Sequence, residues 1–168
     1  MRWNAPPRES VKLNFDGSYH HSSAAAGFII RDRASTLIKA GTAAYGDSSI
    51  LVAKARALRD GLHEAAKVGI KNLFIEGDNA LVIKALQGTS GTPWKLQMLL
   101  HDMSTYLNLM DHVNISHIFR VADMAVDYMA KLGHATSELT TWDCPPTTKC
   151  QNILFADLMG CALMRRGV

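Results

Sequence analysis

The apolar pattern of this chain changes period near residue 47, and that change constrains its fold more than any other feature. Before it, residues 11–16 (VKLNFD) alternate apolar and polar side chains and stop at Gly17-Ser18. That is the mark of a strand with one buried face. Residues 24–31 carry the apolar run Gly27-Phe28-Ile29-Ile30, which suits a central strand. A turn over 32–35 then leads into a third strand over 36–44. Three strands joined by short turns make an antiparallel meander.

After residue 47 the spacing becomes helical. Asp47, Ser48 and Ser49 offer cap residues, and Ile50, Leu51, Ala57, Leu58, Gly61, Leu62 and Ala65 recur at three and four. Gly69 ends this helix and residues 73–75 form a short buried strand. Asp78-Asn79 open a second helix to about residue 87, a loop follows over 88–93, and a third helix fits 94–109. Residues 113–119 alternate again, and Asp123 caps a helix running through 132. Strand–helix–strand order behind a meander requires a mixed α/β sheet, antiparallel at one end and parallel at the other, with helices on its faces. From Gly133 the character changes. Residues 140–146 are extended and turn-rich, and Ile153, Leu154, Leu158 and Cys161 share one face of a short helix. The expected organisation is one domain over residues 1–134, with a C-terminal extension over 135–168 packed on it.

Composition narrows the class. A chain of 168 residues suits one domain with a full core. Hydrophobic residues at 48% and charged residues at 20% exclude a disordered chain. A net charge of +3 permits a polyanionic partner without demanding one. Cys144, Cys150 and Cys161 are odd in number and form no CxxC pair, which argues for free thiols in a reducing compartment. The first ten residues hold no apolar leader core, and no run approaches a membrane span. The expectation is an intracellular protein, in nucleus or cytoplasm, that is monomeric and not bound to membrane.

Four side chains stand where chemistry is possible. Asp16 ends the first strand, Asp78 follows the fourth, and Asp127 sits one turn inside a late helix. Lys54 projects from the first turns of the helix after the meander. Singly, an aspartate at a strand end or helix start is a common cap. Together they carry more, because the ends of neighbouring strands bring Asp16 and Asp78 near each other.

The stretches KLNFDGS, ALRDGLHEAAKVGIKNLFIEGDN and ISHIFRVADMAVDYMAKLG, in this order and spacing, resemble the RNase H-like domain of plant non-LTR retroelements and their free-standing relatives. The flanks, with Trp3, Pro6 and Pro7 at one end and Pro145, Pro146, Leu154, Asp157, Gly160 and Arg165 at the other, are similar as well. The resemblance implies a ribonuclease H-like fold with a five-stranded mixed sheet in order 3-2-1-4-5, flanked by helices. It also implies a hydrolase that cuts the RNA strand of RNA/DNA hybrids with two Mg²⁺ or Mn²⁺ ions held by an Asp-Glu-Asp-Asp set. Such ions, about 4 Å apart, flank the scissile phosphate, and hard cations of this kind take carboxylate oxygens. By motif, Asp16, Asp78 and Asp127 are the expected catalytic and metal-binding acids.

The second acid of that set is missing. Relatives write the segment as EAELWALRDGL, whereas residues 52–62 read VAKARALRDGL, so Lys54 replaces the expected glutamate. A second departure is the loop Tyr19-His20-His21-Ser22-Ser23, where relatives carry a Gly-Asn-Pro-Gly turn. Glu76 stands on the same strand face as Asp78 and is weighed as a substitute acid. His117 is read as a structural histidine of a buried or edge strand. The expected function is a nucleic-acid-binding module for RNA/DNA hybrid or double-stranded RNA, with hydrolysis lost or weak and Mg²⁺ or Mn²⁺ weakly bound or absent. Its expected contacts are Gly17, Ser18, Lys54, Asn79 and Arg120. The alternatives are a residual metal-dependent endoribonuclease and a protein-interaction module.

Overall fold

The computed structural model describes residues 3–88, 91–119 and 123–160. The meander forms as β1 (Val11–His20), β2 (Ser23–Arg31) and β3 (Leu37–Gly46), each antiparallel to the next. Helix α1 (Ile50–Lys67) follows, then β4 (Asn72–Gly77), α2 (Ala80–Gln87), α3 (Gln97–Leu107), β5 (His112–His117) and α4 (Met124–Leu132). The chain ends on β6 (Thr140–Trp142) and α5 (Thr148–Leu158). Strands β4 and β5 run parallel to β1, so the sheet order is β5-β4-β1-β2-β3-β6.

Three boundaries differ from the sequence reading. Strand β1 does not stop at Gly17 but continues to His20, because His21 and Ser22 both take positive φ (47° and 60°) and close a two-residue hairpin. That turn matches the right-handed twist of the flanking strands, so pairing runs to its edge. The helix expected from residue 94 opens as a 3-10 turn over Trp94–Leu96 before α3. The extended segment after residue 139 joins the sheet as β6, antiparallel to β3, so the expected five strands gain a sixth.

Two cores sandwich the sheet. On one face, Leu58 and Leu62 of α1 pack with Leu13, Phe15, Phe28, Ile30, Leu73 and Ile75. On the other, Val126 and Met129 of α4 and Ile153 and Leu154 of α5 cover Ile29 and Leu37. Burial of this kind is worth about 25 cal/mol per Å² of apolar surface and decides where the amphipathic helices sit.

The second face also buries charge. Arg31, fully buried at the end of β2, donates from Nη2 to Asp123 (2.9 Å) and from Nη1 to Asp157 of α5 (2.6 Å). Its guanidinium carbon lies 4.1 Å from the Trp3 ring centre. Asp123 is simultaneously the N-cap of α4, accepting from the Val126 N–H. One guanidinium thus ties the N-terminal segment, the start of α4 and the C-terminal helix to the sheet. Cys161 and Arg165 lie outside the described residues. Among the described residues no helix is long and apolar enough to cross a membrane.

Candidate functional site

The parallel pairing of β1 and β4 ends at Phe15 opposite Gly77; β4 stops there while β1 runs on beside β2 with Asp16 opposite Gly27, so Asp16 and Asp78 follow the last paired residues at the point where the two strands part. Asp16 turns back to accept the Gly17 N–H at 2.8 Å. Lys54, in the second turn of α1, reaches the same place. Its Nζ donates to Asp78 Oδ1 at 2.6 Å and lies 3.3 Å from Asp16 Oδ1. The route passes over Gly17. A Cβ there would stand 2.7 Å from Ile50 Cδ1 and 2.9 Å from Lys54 Cγ, so only glycine lets the lysine stem lie against the strand.

Asp16 and Lys54 are both buried. Burial, and then the neighbouring Asp78, push the Asp16 carboxyl above its ordinary range, against the pull of Lys54 and of the Gly17 N–H. The site is a carboxylate–ammonium–carboxylate bridge rather than an open acidic pair.

Of the residues singled out in the sequence, the structure brings Asp16, Lys54 and Asp78 into contact. Asp127 does not share that bridge. Its carboxylate pairs with Lys131 one turn on (2.8 Å), and it is the more exposed acid. Ser18 Oγ is bonded to His134 Nε2 at 2.9 Å. Asn79 caps α2 by accepting from the Val82 N–H. Glu76 is held by Lys12 at 2.7 Å and by Asn14 at 3.4 Å, which commits it to the sheet surface. His117 ends the edge strand β5 with its Nε2 3.0 Å from the Asp78 carbonyl oxygen, so it braces the backbone of an acid it does not touch through its carboxylate. Arg120 lies outside the described residues.

Two further residues border the site and were not foreseen for it. A water-sized cavity of about 10 Å³ is lined by Asn14, Asp16, Asp78, Asp123 and Val126, with Ile118 and Phe119 at its rim. Asn14 Oδ1 is buried without a hydrogen-bond partner. The sequence signal for Asn14 was its polar place on the same strand face as Asp16. For Asp123 it was the helix cap, which hid its second task.

Among the described residues no group of three or more histidine, cysteine or acidic side chains is arranged to hold a metal ion. The pair Asp16 and Asp78 does not fit a divalent ion as it stands, because the Lys54 ammonium already occupies the space between the carboxylates. At 4 Å and an effective dielectric of about 20, an ammonium repels a divalent ion by roughly 8 kcal/mol, where a glutamate would attract it by as much.

The sheet order, with two acids where the adjacent parallel strands β1 and β4 part, defines an RNase H-like α/β domain. The family model described as reverse transcriptase-like matches residues 14–133, and the chain belongs to that family. Among solved structures it is similar to RNase H1 from the halophilic archaeon Halobacterium salinarum, with 25% identity and a TM-score of 0.68 over 75% of this chain and 98% of that one. The N-terminal RNase H domain of a Mycobacterium tuberculosis protein gives 22% identity and a TM-score of 0.70, over 75% and 94% of the two chains. LC11-RNase H1, solved in complex with an RNA/DNA hybrid, gives 17% and 0.63, over 71% and 92%. No curated protein matches the chain by sequence.

Proposed function

We propose that this chain is an RNase H-like nucleic-acid-binding module that holds an RNA/DNA hybrid or double-stranded RNA without hydrolysing it. The observation that carries the reading is the Lys54 ammonium lodged between Asp78 and Asp16. Where relatives gather cations around the scissile phosphate, this chain supplies a cation of its own. Three acids, as Asp-Glu-Asp, would leave a charge of −3 facing a phosphate, whereas Asp-Lys-Asp leaves −1. A strand can therefore lie near the ends of β1 and β4 without Mg²⁺ or Mn²⁺. Nothing in the bridge activates water or stabilises a leaving oxygen.

In this reading Gly17, Ser18 and the backbone at Asn79 line the track of the strand. Lys54 supplies the charge beneath a phosphate, and Arg120, which follows β5 in the sequence, is a further contact of this proposal. Contacts of this kind read the backbone and the 2′-hydroxyls of an A-like helix rather than base sequence. The hybrid bound by LC11-RNase H1 supports this choice of ligand. The motif stretches support a place among retroelement-derived, plant-type members, as a monomer inside the cell, in nucleus or cytoplasm. The extension from residue 135 is part of the same domain, supported by the packing of α5 on the Arg31 side of the sheet.

The test compares the natural chain with Lys54→Glu on a labelled RNA/DNA hybrid in Mg²⁺ and in Mn²⁺. The natural chain is expected to bind and leave the RNA intact, and Lys54→Glu to gain metal-dependent cutting. Cleavage by the natural chain that Asp16→Asn abolishes would overturn the reading in favour of a working nuclease.

A further inference from the structure

The loop that departs from its relatives acquires a third histidine in space. His20 and His21 sit on the β1–β2 hairpin with ring centres 3.8 Å apart, and the His134 ring lies 6.0 Å from His20. His134 comes from the 3-10 turn Gly133–Ala135 that follows α4, held there by the Ser18 hydroxyl. His20 and His21 are exposed and His134 is partly covered.

We propose that His20, His21 and His134 form a proton-linked phosphate contact, so that seating a nucleic-acid backbone phosphate at this corner takes up protons. This rests on the nucleic-acid-binding reading above and adds a second contact to it. Asp16, Ser18 and His20 lie on the same face of β1, so the corner is about 13 Å along the strand from the Lys54 bridge, within reach of the same polynucleotide.

The chemistry follows from the neighbours. β1 and its turn contribute His20 and His21, and the 3-10 turn contributes His134. Among the described residues no carboxylate stands within ion-pair distance of any of the three. Asp16 is engaged by Gly17 and Lys54, and Asp127 by Lys131, which uses the Lys131 ammonium as well; Glu138, four residues after His134, is exposed and makes no ion pair with the three rings. With no anion present, one imidazolium discourages the next. Burial, and then His20, accordingly hold His134 below the ordinary histidine range. A neutral imidazole offers one N–H, and an imidazolium offers two in charge-assisted bonds to phosphate oxygen. A bound phosphate therefore favours the protonated rings, and by linkage protonation favours the bound phosphate.

The experiment follows the histidine Hε1–Cε1 resonances of the full chain by NMR from pH 7.5 to 5.5, free, with inorganic phosphate, and with an RNA/DNA hybrid. Hybrid affinity is measured over the same range for the natural chain and for His20→Gln/His21→Gln. The expected result is a hybrid-induced rise of about one unit in the titrations of His20 and His134. Over the two rings together that corresponds by linkage to a gain in affinity of roughly thirtyfold across the range. The double variant, which keeps His134 as well as the distant His63, His101, His112 and His117, is expected to lose most of that gain. Hybrid binding with unmoved histidine titrations and a flat pH profile would overturn this proposal and leave the binding reading standing. Shifts caused by inorganic phosphate and not by hybrid would overturn it as a nucleic-acid contact. No hybrid binding at any pH would overturn both.

Discussion

Lys54 reaches two aspartates because Gly17 leaves its path open, and each half of that sentence can be tested. Removing the cation by Lys54→Met leaves Asp16 and Asp78 facing each other, buried and without compensation. Thermal melts at neutral pH are expected to show a loss of up to about 3 kcal/mol, the low end for breaking a buried pair. Mg²⁺ should restore part of it in the variant. The natural chain should melt at one temperature in Mg²⁺ and in EDTA, since its cation is covalently its own. Closing the path by Gly17→Ala forces a Cβ to within 2.7 Å of Ile50 and 2.9 Å of Lys54. Overpacking of this kind costs about 1–3 kcal/mol. It should also weaken hybrid binding by displacing the ammonium, and an unchanged melt with unchanged binding would show that the lysine does not lie along the strand. The lysine was legible in the sequence because ALRDGL anchors the register eight residues downstream. Its grip on both acids was not, because a contact across α1, β1 and β4 has no local pattern.

Among the elements, α4 and α5 depend on a charge cluster that alternation alone does not reveal. Arg31 reads as the polar end of a buried strand, and its partners lie far along the chain at Asp123 and Asp157. The N-cap at Asp123 was predictable from position, the guanidinium behind it was not. Arg31→Met would leave the buried Asp123 and the half-buried Asp157 without their counterion. Urea unfolding is expected to report a loss of about 3–5 kcal/mol, and α5 should become the first element to exchange amide hydrogens. A pH dependence belongs to the same cluster. Burial, with a further push from Asp123, holds the Asp157 carboxyl above its ordinary range against the pull of Arg31. The folded chain therefore binds that proton more tightly than the unfolded chain. The stability Asp157 contributes falls as pH rises from the ordinary carboxylate range through the raised value, and is level above it. The stability difference between natural chain and Asp157→Asn should narrow over that acidic window. A difference that widens with pH would place the Arg31 attraction ahead of burial. Strand β6 was equally hidden, since three residues pairing at a sheet edge carry too little periodicity to stand out from an extended tail.

At the scale of the molecule, two hydrophobic periods carried a mixed sheet, antiparallel at one end and parallel at the other, whereas the order β5, β4, β1, β2 and β3 was legible only through the family resemblance. The site was half legible. Asp16, inside β1, and Asp78, just past β4, meet through Lys54, whereas Asp127 pairs with Lys131 and His134 joins His20 through folding alone. A module that tracks phosphates should bind in a strongly salt-dependent way. For four neutralised phosphates, affinity is expected to drop roughly a hundredfold between about 50 and 200 mM salt, and a flat response would point to a protein partner instead. The central claim is that Lys54 stands in for the cations of this fold. It is tested most directly by equilibrium binding of a labelled RNA/DNA hybrid to the natural chain in EDTA and in Mg²⁺, with the RNA strand recovered and sized afterwards. The expected result is the same affinity in both and an intact strand. Binding that requires Mg²⁺, or a shortened RNA in its presence, would contradict it.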